Sequence, residues 1–265
     1  MDLSYRTALV TGANRGIGRA LAEALAREPL DLLLCGTRSP DDFEEITAGA
    51  GGAREVRPVA IDLGSRESIE RSTAGLGDDL AHIDLLVNNA GLVTGGLLEE
   101  QDLDEVYAMF QANLVGLVQL TQAVLPGMLA RRTGKVVNNA SISGYAYFPA
   151  ATTYAASKAG VVAFTEALRR ELKGTGVSTL HLVTGGVDTG MLDDTRETYG
   201  RHLDTSSWES RPASEWAEKV IEAIRSDDTI LGPGGKTAIA KLASRGPAFL
   251  LDQITDRAFS REPRS

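Results

Sequence analysis

Two residues that could exchange a proton with a bound molecule, Tyr154 and Lys158, lie four positions apart in a stretch with helical periodicity, residues 153–173. A helix places such residues on one face, so the ammonium group can lie close to the phenol. An unperturbed tyrosine, with a pKa near 10, is only about one part in a thousand ionised at pH 7, and lowering that pKa by about three units requires about 4 kcal/mol. A neighbouring cation favours the ionised phenol. The pair therefore predicts an acid/base that protonates a carbonyl oxygen or deprotonates an alcohol.

Ser141 follows a strand-like run, at the end of a strand where parallel sheets place their sites. Its hydroxyl could hydrogen-bond the same substrate oxygen. Serine is also a common turn residue, and Ser143 competes for the role two positions later. Asn113 lies within a long apolar helix, where an amide needs hydrogen-bond partners, so a satisfied core asparagine is the simplest interpretation.

A glycine-rich turn, residues 11–18, leaves the first predicted strand and opens the first predicted helix, the context that a dinucleotide-binding turn requires. Gly12 permits the tight turn, Gly16 lets the backbone approach a pyrophosphate, and Gly18 lets the helix pack on the sheet. The helix N-terminus then faces the phosphates. An ordinary turn between strand and helix is the alternative. The candidate cofactor contacts here are Gly12, Asn14, Arg15, Gly16, Ile17 and Gly18.

The choice of cofactor depends on the residues after the second predicted strand. NAD-specific sites usually have an acidic residue there, which binds a ribose hydroxyl and would repel a 2′-phosphate. This chain has Arg38, and no acidic residue before Asp41. The guanidinium groups of Arg38 and Arg15 could both bind a 2′-phosphate. We therefore expect NADP(H) to be preferred, with NAD(H) as the alternative, although either arginine could be a plain surface charge.

The elements that must position these residues alternate regularly between strand and helix. Apolar runs without polar alternation predict strands whose two faces are both covered; they are residues 7–11, 32–36, 56–61, 83–87, 135–139 and 177–183. Helical spacing of apolar residues predicts the intervening helices; they are residues 16–27, 40–47, 66–76, 103–131 and 153–173. This order predicts one α/β domain over residues 1–265, with a doubly wound parallel sheet of about seven strands.

The chain after residue 189 is less regular. Residues 193–211 are polar around an isolated Trp208, which predicts a mobile loop, and 212–225 read as a helix. We expect residues 190–215 to form a loop over the substrate.

Composition excludes several classes of function. A formal net charge of −9 disfavours nucleic acid as a partner. The single Cys35 cannot form an intramolecular disulfide, and the three histidines show no ligand spacing, so no metal site is expected. Because no run of eighteen apolar residues occurs and the start is too polar for a signal peptide, a soluble cytoplasmic protein is expected.

The glycine spacing, three residues and then one, resembles the TGxxxGxG motif of the short-chain dehydrogenase/reductase family. The resemblance covers roughly residues 5–190 and extends through Asp62, the Asn-Asn-Ala-Gly segment 88–91, Asn113, Ser141 and the Tyr154/Lys158 pair. It implies a Rossmann-type fold and selects Ser141 over Ser143. Residue by residue, it also implies that Asn113 distorts its helix and holds a water linking Lys158 to solvent.

The resemblance implies further cofactor contacts. Asp62 would bind the adenine amine, and a positively charged nicotinamide would help to lower the Tyr154 pKa. A loop after the sixth strand would wrap the nicotinamide carboxamide. The additional candidates are Asp62, Leu63, Asn89, Ala90, Gly91, Gly185, Val187 and Thr189. A homodimer through helices 103–131 and 153–173 is also implied, with a tetramer left open.

Two departures from the family pattern stand out. Thr184 occupies the position where the family usually has proline, so the rigidity of that ring is absent. The C-terminal region lacks the usual Asp-Gly-Gly tail and offers helix-like segments 236–245 and 247–259 instead, which makes a fatty-acid-synthesis ketoreductase less expected. The last segment is amphipathic with basic residues, so we expect it to pack on the domain or on a dimer partner, with peripheral membrane contact as the alternative.

The sequence thus predicts an oxidoreductase that interconverts small to medium hydrophobic ketones or aldehydes and alcohols. A catalytically silent NADP-binding sensor or scaffold is the alternative, although such a protein would commonly lose the tyrosine or lysine. An extended-branch epimerase or dehydratase would need a longer substrate domain. The expected pocket is apolar, with some aromatic stacking; its candidate lining is Ser143, Tyr145, Tyr147, Phe148, Thr184 and residues 193–208.

Overall fold

A computed structural model of the chain describes residues 1–4, 6–206, 208–233 and 259–262. The predicted helices 236–245 and 247–259 lie outside the described residues, except for Phe259 at the end of the second.

Seven parallel strands form one sheet in the order β3-β2-β1-β4-β5-β6-β7. The six predicted strands are confirmed to within one residue at either end. The strands are β1 Thr7–Thr11, β2 Leu32–Thr37, β3 Glu55–Ala60, β4 Ile83–Asn88, β5 Gly134–Asn139, β6 Val177–Leu182 and the short β7 Ile230–Leu231. Central strands such as β2, β4 and β5 are buried along their whole length, which explains why most of their residues are apolar without polar alternation. Pro58, which lacks a backbone donor, lies in the edge strand β3.

Helices cover both faces of the sheet, so the α/β doubly wound fold is confirmed. The helices are α1 Gly16–Ala26, α2 Arg66–Gly75, α3 Asp78–His82, α4 Leu103–Phe110, α5 Gly116–Arg131, α6 Thr152–Glu171, α7 Gly190–Gly200 and α8 Ala213–Arg225. Helices α1 and α8 pack together over one face, and α2, α5 and α6 pack over the other. The chain reverses its direction of travel across the sheet between β1 and β4, and doubly wound sheets open a crevice at such a point.

Predicted helix 103–131 runs continuously, but α4 and α5 are joined by a five-residue π-helical turn, Gln111–Val115, which contains Asn113. By length and composition alone, Leu103–Arg131 could cross a membrane, although 44% of its most apolar window is buried inside the protein. Leu120, Val124 and Met128 of this helix belong to the core between helices and sheet. These contacts are those of a core helix of a globular domain.

Predicted helix 40–47 is wrong. Only Pro40–Asp42 forms a short 3-10 turn, and the following residues have no regular structure. Arg19 of α1 donates to the carbonyl oxygens of Glu44 (2.5 Å) and Glu45 (3.4 Å), which replaces helical hydrogen bonds at those two groups. Ile46 is buried against the core in this irregular segment.

The predicted loop 193–211 is partly wrong as well, because α7 extends through its first part, up to Gly200. Leu192 and Tyr199, seven positions apart, are the buried side chains of α7 and lie on one face of the helix. Burial of that face stabilises a helix whose other residues are polar. The predicted helix 212–225 is confirmed as α8.

Candidate active site

One cleft of about 700 Å³ opens at the carboxyl ends of the strands, where the order of the sheet reverses. The structure brings all the candidate cofactor contacts into this cleft, although they come from six separate segments of the chain. They are Gly12, Asn14, Arg15, Gly16, Ile17, Gly18, Arg38, Asp62, Leu63, Asn89, Ala90, Gly91, Tyr154, Lys158, Gly185, Val187 and Thr189.

The glycine turn forms one wall of the cleft from backbone atoms. Gly12 and Gly16 have positive φ angles of 67° and 56°, a conformation that side chains other than glycine rarely adopt. A Cβ atom on Gly18 would overlap the carbonyl oxygen of Gly12 and the amide nitrogen of Asn89. Helix α1 begins here without a side-chain cap and without an acidic residue in its first turn. The turn therefore fits a pyrophosphate, which would accept hydrogen bonds from the open backbone N–H groups.

Two arginines line the cleft, one in the glycine turn and one just after β2. Arg15 and Arg38 are both exposed and both line the cleft, and neither forms an ion pair with the described part of the chain. Arg19 differs from them because Glu23 (2.6 Å) and two backbone carbonyls already hold its guanidinium group. Asp62 lies opposite, with one carboxylate oxygen accepting the N–H of Gly64 at 2.9 Å.

Tyr154 and Ser141 meet in the middle of the cleft, one from the first turn of α6 and the other from the end of β5. Burial raises the pKa of the Tyr154 phenol to about 12, and a hydrogen bond with the Ser141 side chain acts in the opposite direction. The Ser141 hydroxyl oxygen also accepts the N–H of Ser143 at 3.1 Å, so the competing serine contributes its backbone to orienting Ser141. The arrangement keeps a protonated phenol beside a hydroxyl group, ready to donate to an oxygen atom.

Lys158 lies one helical turn after Tyr154, with its ammonium nitrogen 5.9 Å from the centre of the phenol ring. This nitrogen donates to the backbone carbonyl of Asn139 at 3.0 Å, and burial lowers the pKa of Lys158 to about 8. The sequence predicts a lowered Tyr154 pKa. Within the polypeptide the pKa is instead raised, because burial of the phenol has a larger effect than its neighbours.

Asn113 lies behind the cleft rather than in its lining. Its side chain is buried and fully hydrogen-bonded: it accepts from the N–H of Leu92 (2.7 Å) and donates to the carbonyl of Leu92 (2.9 Å) and to the hydroxyl of Ser157 (3.1 Å). The side chain is therefore a satisfied core amide, while its helix is distorted at the same point. Asn113 fixes the segment after β4 that carries Gly91 and Leu92.

Aromatic side chains form another wall of the cleft. Tyr199 of α7 meets Trp208 edge to face, with ring centres 6.2 Å apart, and Phe148 completes this wall. The Tyr199 hydroxyl donates to the carbonyl of Thr94 at 3.2 Å, so the residue offers mainly its ring to the cleft. A Cβ atom on Gly95 would overlap that ring. The close packing of Tyr199 therefore requires glycine at position 95.

Two candidate pocket residues are wrong. Tyr145 turns away from the cleft and packs against His181, with ring centres 5.8 Å apart. Tyr147 is 59% exposed and lines a separate surface groove. Several small and apolar lining residues were not predicted, because nothing in their local sequence distinguishes them from core residues; they include Leu92, Ile142 and Ala151. Met191 and Leu192 also line the cleft, and they belong to residues 190–215, the segment expected over the substrate.

Comparison with known proteins agrees with this geometry. A model of the short chain dehydrogenase family matches residues 6–200. The ketoacyl reductase HetN of Nostoc sp. is 35% identical over 230 residues, which are 86% of this chain and 78% of that protein. The 3-oxoacyl-[acyl-carrier-protein] reductase FabG of Vibrio harveyi is 35% identical over 196 residues, 72% of this chain and 77% of that protein.

Among solved structures, a short-chain dehydrogenase from Sphingobium yanoikuyae in complex with NADPH superposes with a TM-score of 0.74 at 25% identity. The match covers 86% of this chain and 87% of that one.

Proposed function

Because this chain belongs to the short-chain dehydrogenase/reductase family and is an oxidoreductase acting on CH–OH groups, we propose that it interconverts a hydrophobic ketone and its secondary alcohol with NADP(H). One observation carries the proposal: the protonated phenol of Tyr154, in contact with Ser141, lies in the same cleft as an uncapped helix N-terminus preceded by a glycine turn. The same phenol would act on an aldehyde and a primary alcohol.

The chain's own residues would hold the substrate and move its proton, while a bound nicotinamide supplies the hydride. Ser141 and Tyr154 donate hydrogen bonds to the carbonyl oxygen, which holds that oxygen in place as negative charge develops on it. The proton then passes from the Tyr154 hydroxyl to this oxygen. The Lys158 ammonium lies near the resulting phenolate and stabilises it. In the oxidative direction the phenolate accepts the alcohol proton.

The preference for NADP(H) is supported by the two arginines at the adenosine end. Arg15 and Arg38 are exposed and line the cleft. The nearest acidic residues after β2, Asp41 and Asp42, lie in the short 3-10 turn and outside the cleft lining. Two guanidinium groups without an intervening carboxylate favour a 2′-phosphate over a hydroxyl. The NADPH complex of the Sphingobium yanoikuyae protein supports the same choice.

The proposed substrate class follows from the aromatic wall. Phe148, Tyr199 and Trp208 present rings on one side of Tyr154, and the Tyr199 hydroxyl is already bonded to Thr94. Burial raises the Tyr199 pKa, so this second phenol stays neutral. Such a wall favours an uncharged ketone with an aromatic or alicyclic group.

Assembly and location are proposals as well. Leu103, Tyr107 and Val115 are exposed apolar side chains along the helix expected to form the dimer interface. They support a homodimer through this helix. The location that we propose is the cytoplasm.

The test is a titration of the protein with NADPH and NADH, followed by turnover of a carbonyl panel that includes aryl ketones, alicyclic ketones and a 3-oxoacyl thioester. We expect tighter binding of NADPH and its consumption by a ring-bearing ketone. Tyr154→Phe should lower kcat by about 1000-fold, within the range of general acid catalysis, and leave the NADPH Kd unchanged.

Tyr147→Phe is the matched control, because Tyr147 is an exposed tyrosine outside the cleft. Binding of NADPH without turnover of any carbonyl or alcohol would instead support the sensor interpretation. Full activity of the Tyr154→Phe variant would contradict the proposed role of the phenol.

A further inference from the structure

Side-chain hydrogen bonds connect the carboxyl ends of four adjacent strands at the floor of the cleft. The Thr184 hydroxyl, just after β6, donates to the side-chain oxygen of Asn139 at the end of β5 (2.5 Å). The Asn139 amide nitrogen donates to the side-chain oxygen of Asn89, after β4 (3.0 Å). The Asn89 amide nitrogen donates to the carbonyl of Thr11 at the end of β1 (3.1 Å). The four ends thus form one chain of hydrogen bonds.

The direction of these bonds requires Thr184 to be a hydrogen-bond donor. The Asn139 amide nitrogen donates to Asn89, so its side-chain oxygen is the acceptor that faces Thr184. Thr184 and Asn139 are both only 7% exposed, and the hydrogen bond between their side chains is buried. A buried acceptor requires a donor, and the Thr184 hydroxyl supplies it. Proline, which the family usually has at this position, has no donor in its ring.

The backbones of the same two residues hold the catalytic groups. The Asn139 carbonyl accepts the Lys158 ammonium at 3.0 Å. The Thr184 carbonyl accepts the N–H of Ile142 at 2.9 Å, next to Ser141. Thr184 is also the first residue of the segment that supplies Gly185, Val187 and Thr189 to the cleft. A rotation of either backbone would therefore move Lys158, Ser141 or the cofactor loop.

We propose that Thr184 and Asn139 are a pair of positioning residues. The hydrogen bond between their side chains holds Lys158 and the cofactor loop in position, and it substitutes for the rigid proline ring that this chain lacks. The proposal rests on the proposed function of the cleft, but its first readout is NADPH binding. Neither residue needs to touch the reacting atoms. Their effect passes through Lys158 and through the segment after Thr184.

The experiment compares Thr184→Val, which keeps the shape and removes the hydroxyl, with Thr184→Ser, which keeps the hydroxyl. Thr184→Val should raise the NADPH Kd about tenfold, the effect expected when a buried acceptor loses its donor. Thr184→Ser should stay within about twofold of the wild type, since it retains the donor. Thr179→Val is the matched control: Thr179 is buried on the same strand, and its hydroxyl has no hydrogen-bond partner among the described residues. This control should leave the Kd unchanged.

Two further readouts separate positioning from a general loss of packing. In Thr184→Val, the pH at which carbonyl reduction falls should move below that of the wild type, because a displaced Asn139 carbonyl stabilises the Lys158 ammonium less. The double variant Asn139→Val/Thr184→Val should bind NADPH no worse than the poorer single variant, because both changes remove the same bond. Circular dichroism and thermal melting verify that each variant is folded.

Wild-type NADPH binding and an unshifted pH profile in folded Thr184→Val would overturn the proposal. Additive losses in the double variant would overturn the pairing of the two residues. If no carbonyl is turned over by the wild-type protein, the proposed function fails, while the Kd series still tests the pair.

Discussion

The two ends of the cleft are built in different ways. The cofactor end uses backbone atoms: Gly12 and Gly16 adopt positive φ angles, and Gly18 leaves no space for a side chain. The substrate end uses large side chains from distant segments, above all Tyr199 and Trp208, which meet only after α7 packs over the cleft. Steric rules restrict the first end to very few sequences, whereas many combinations of apolar side chains could build the second. Under the proposed function, the first end would be a fixed binding site for the cofactor and the second an adjustable site for the substrate.

Of the changes that test the difference between the two ends, substitution of Arg38 should have the largest effect, and that effect is on NADPH binding. Arg38→Ala removes a guanidinium group that is exposed in the cleft, and should weaken NADPH binding about 30-fold, the loss expected for a charge-assisted hydrogen bond to phosphate. NADH binding should stay the same, because NADH has no 2′-phosphate. Fluorescence titrations with both nucleotides measure the ratio.

Arg27→Ala is the control for Arg38, because Arg27 lies just beyond the far end of α1, where it pairs with Glu218. Equal losses for NADPH and NADH in Arg38→Ala would contradict the assignment of the 2′-phosphate site.

A second prediction concerns the residues between the two ends. Reduction requires a protonated Tyr154, whose pKa of about 12 keeps the phenol protonated across the neutral range. It also requires the Lys158 ammonium, whose charge is lost as the pH rises through the lysine pKa of about 8. We therefore expect kcat/KM for reduction to be constant from pH 6 to about 7.5 and to fall about tenfold per pH unit well above 8.

Alcohol oxidation needs the phenolate and should rise with pH instead. The measurement is a pair of pH–rate profiles, with circular dichroism at each pH to verify folding. A reductive rate that stays constant up to pH 10 would contradict the requirement for charged Lys158.

The smallest effect is expected at the substrate end. Trp208→Ala should lower kcat/KM for a ring-bearing ketone about fivefold, the equivalent of about 1 kcal/mol of aromatic contact. The NADPH Kd should not change, because Trp208 packs against Tyr199 and its apolar neighbours and is not part of the glycine turn. Steady-state kinetics with a ring-bearing and a small aliphatic ketone measure this selectivity. A loss of NADPH binding in Trp208→Ala would mean that the two ends are not independent.

The amino-acid sequence by itself determined the sheet, most helices and the cofactor end. Apolar runs predict six strands, and the glycine spacing after β1 predicts the turn, because both signals depend on residues that are close in the chain. Tyr154 and Lys158 are likewise one helical turn apart. Their proximity follows from helix geometry alone.

Only the tertiary structure decided the substrate end. Residues 40–47 do not form the predicted helix, and two of their carbonyl groups accept hydrogen bonds from Arg19 instead. Helix α7 forms in a polar stretch because Leu192 and Tyr199 are buried. Tyr145 does not line the cleft, because its ring packs against His181 instead. The partners in each case are at least 20 residues apart or belong to different elements, and local sequence patterns do not encode which distant residues will meet. For the same reason the sequence does not predict the hydrogen bond between Thr184 and Asn139. These two residues meet only because β5 pairs with β6 in the sheet.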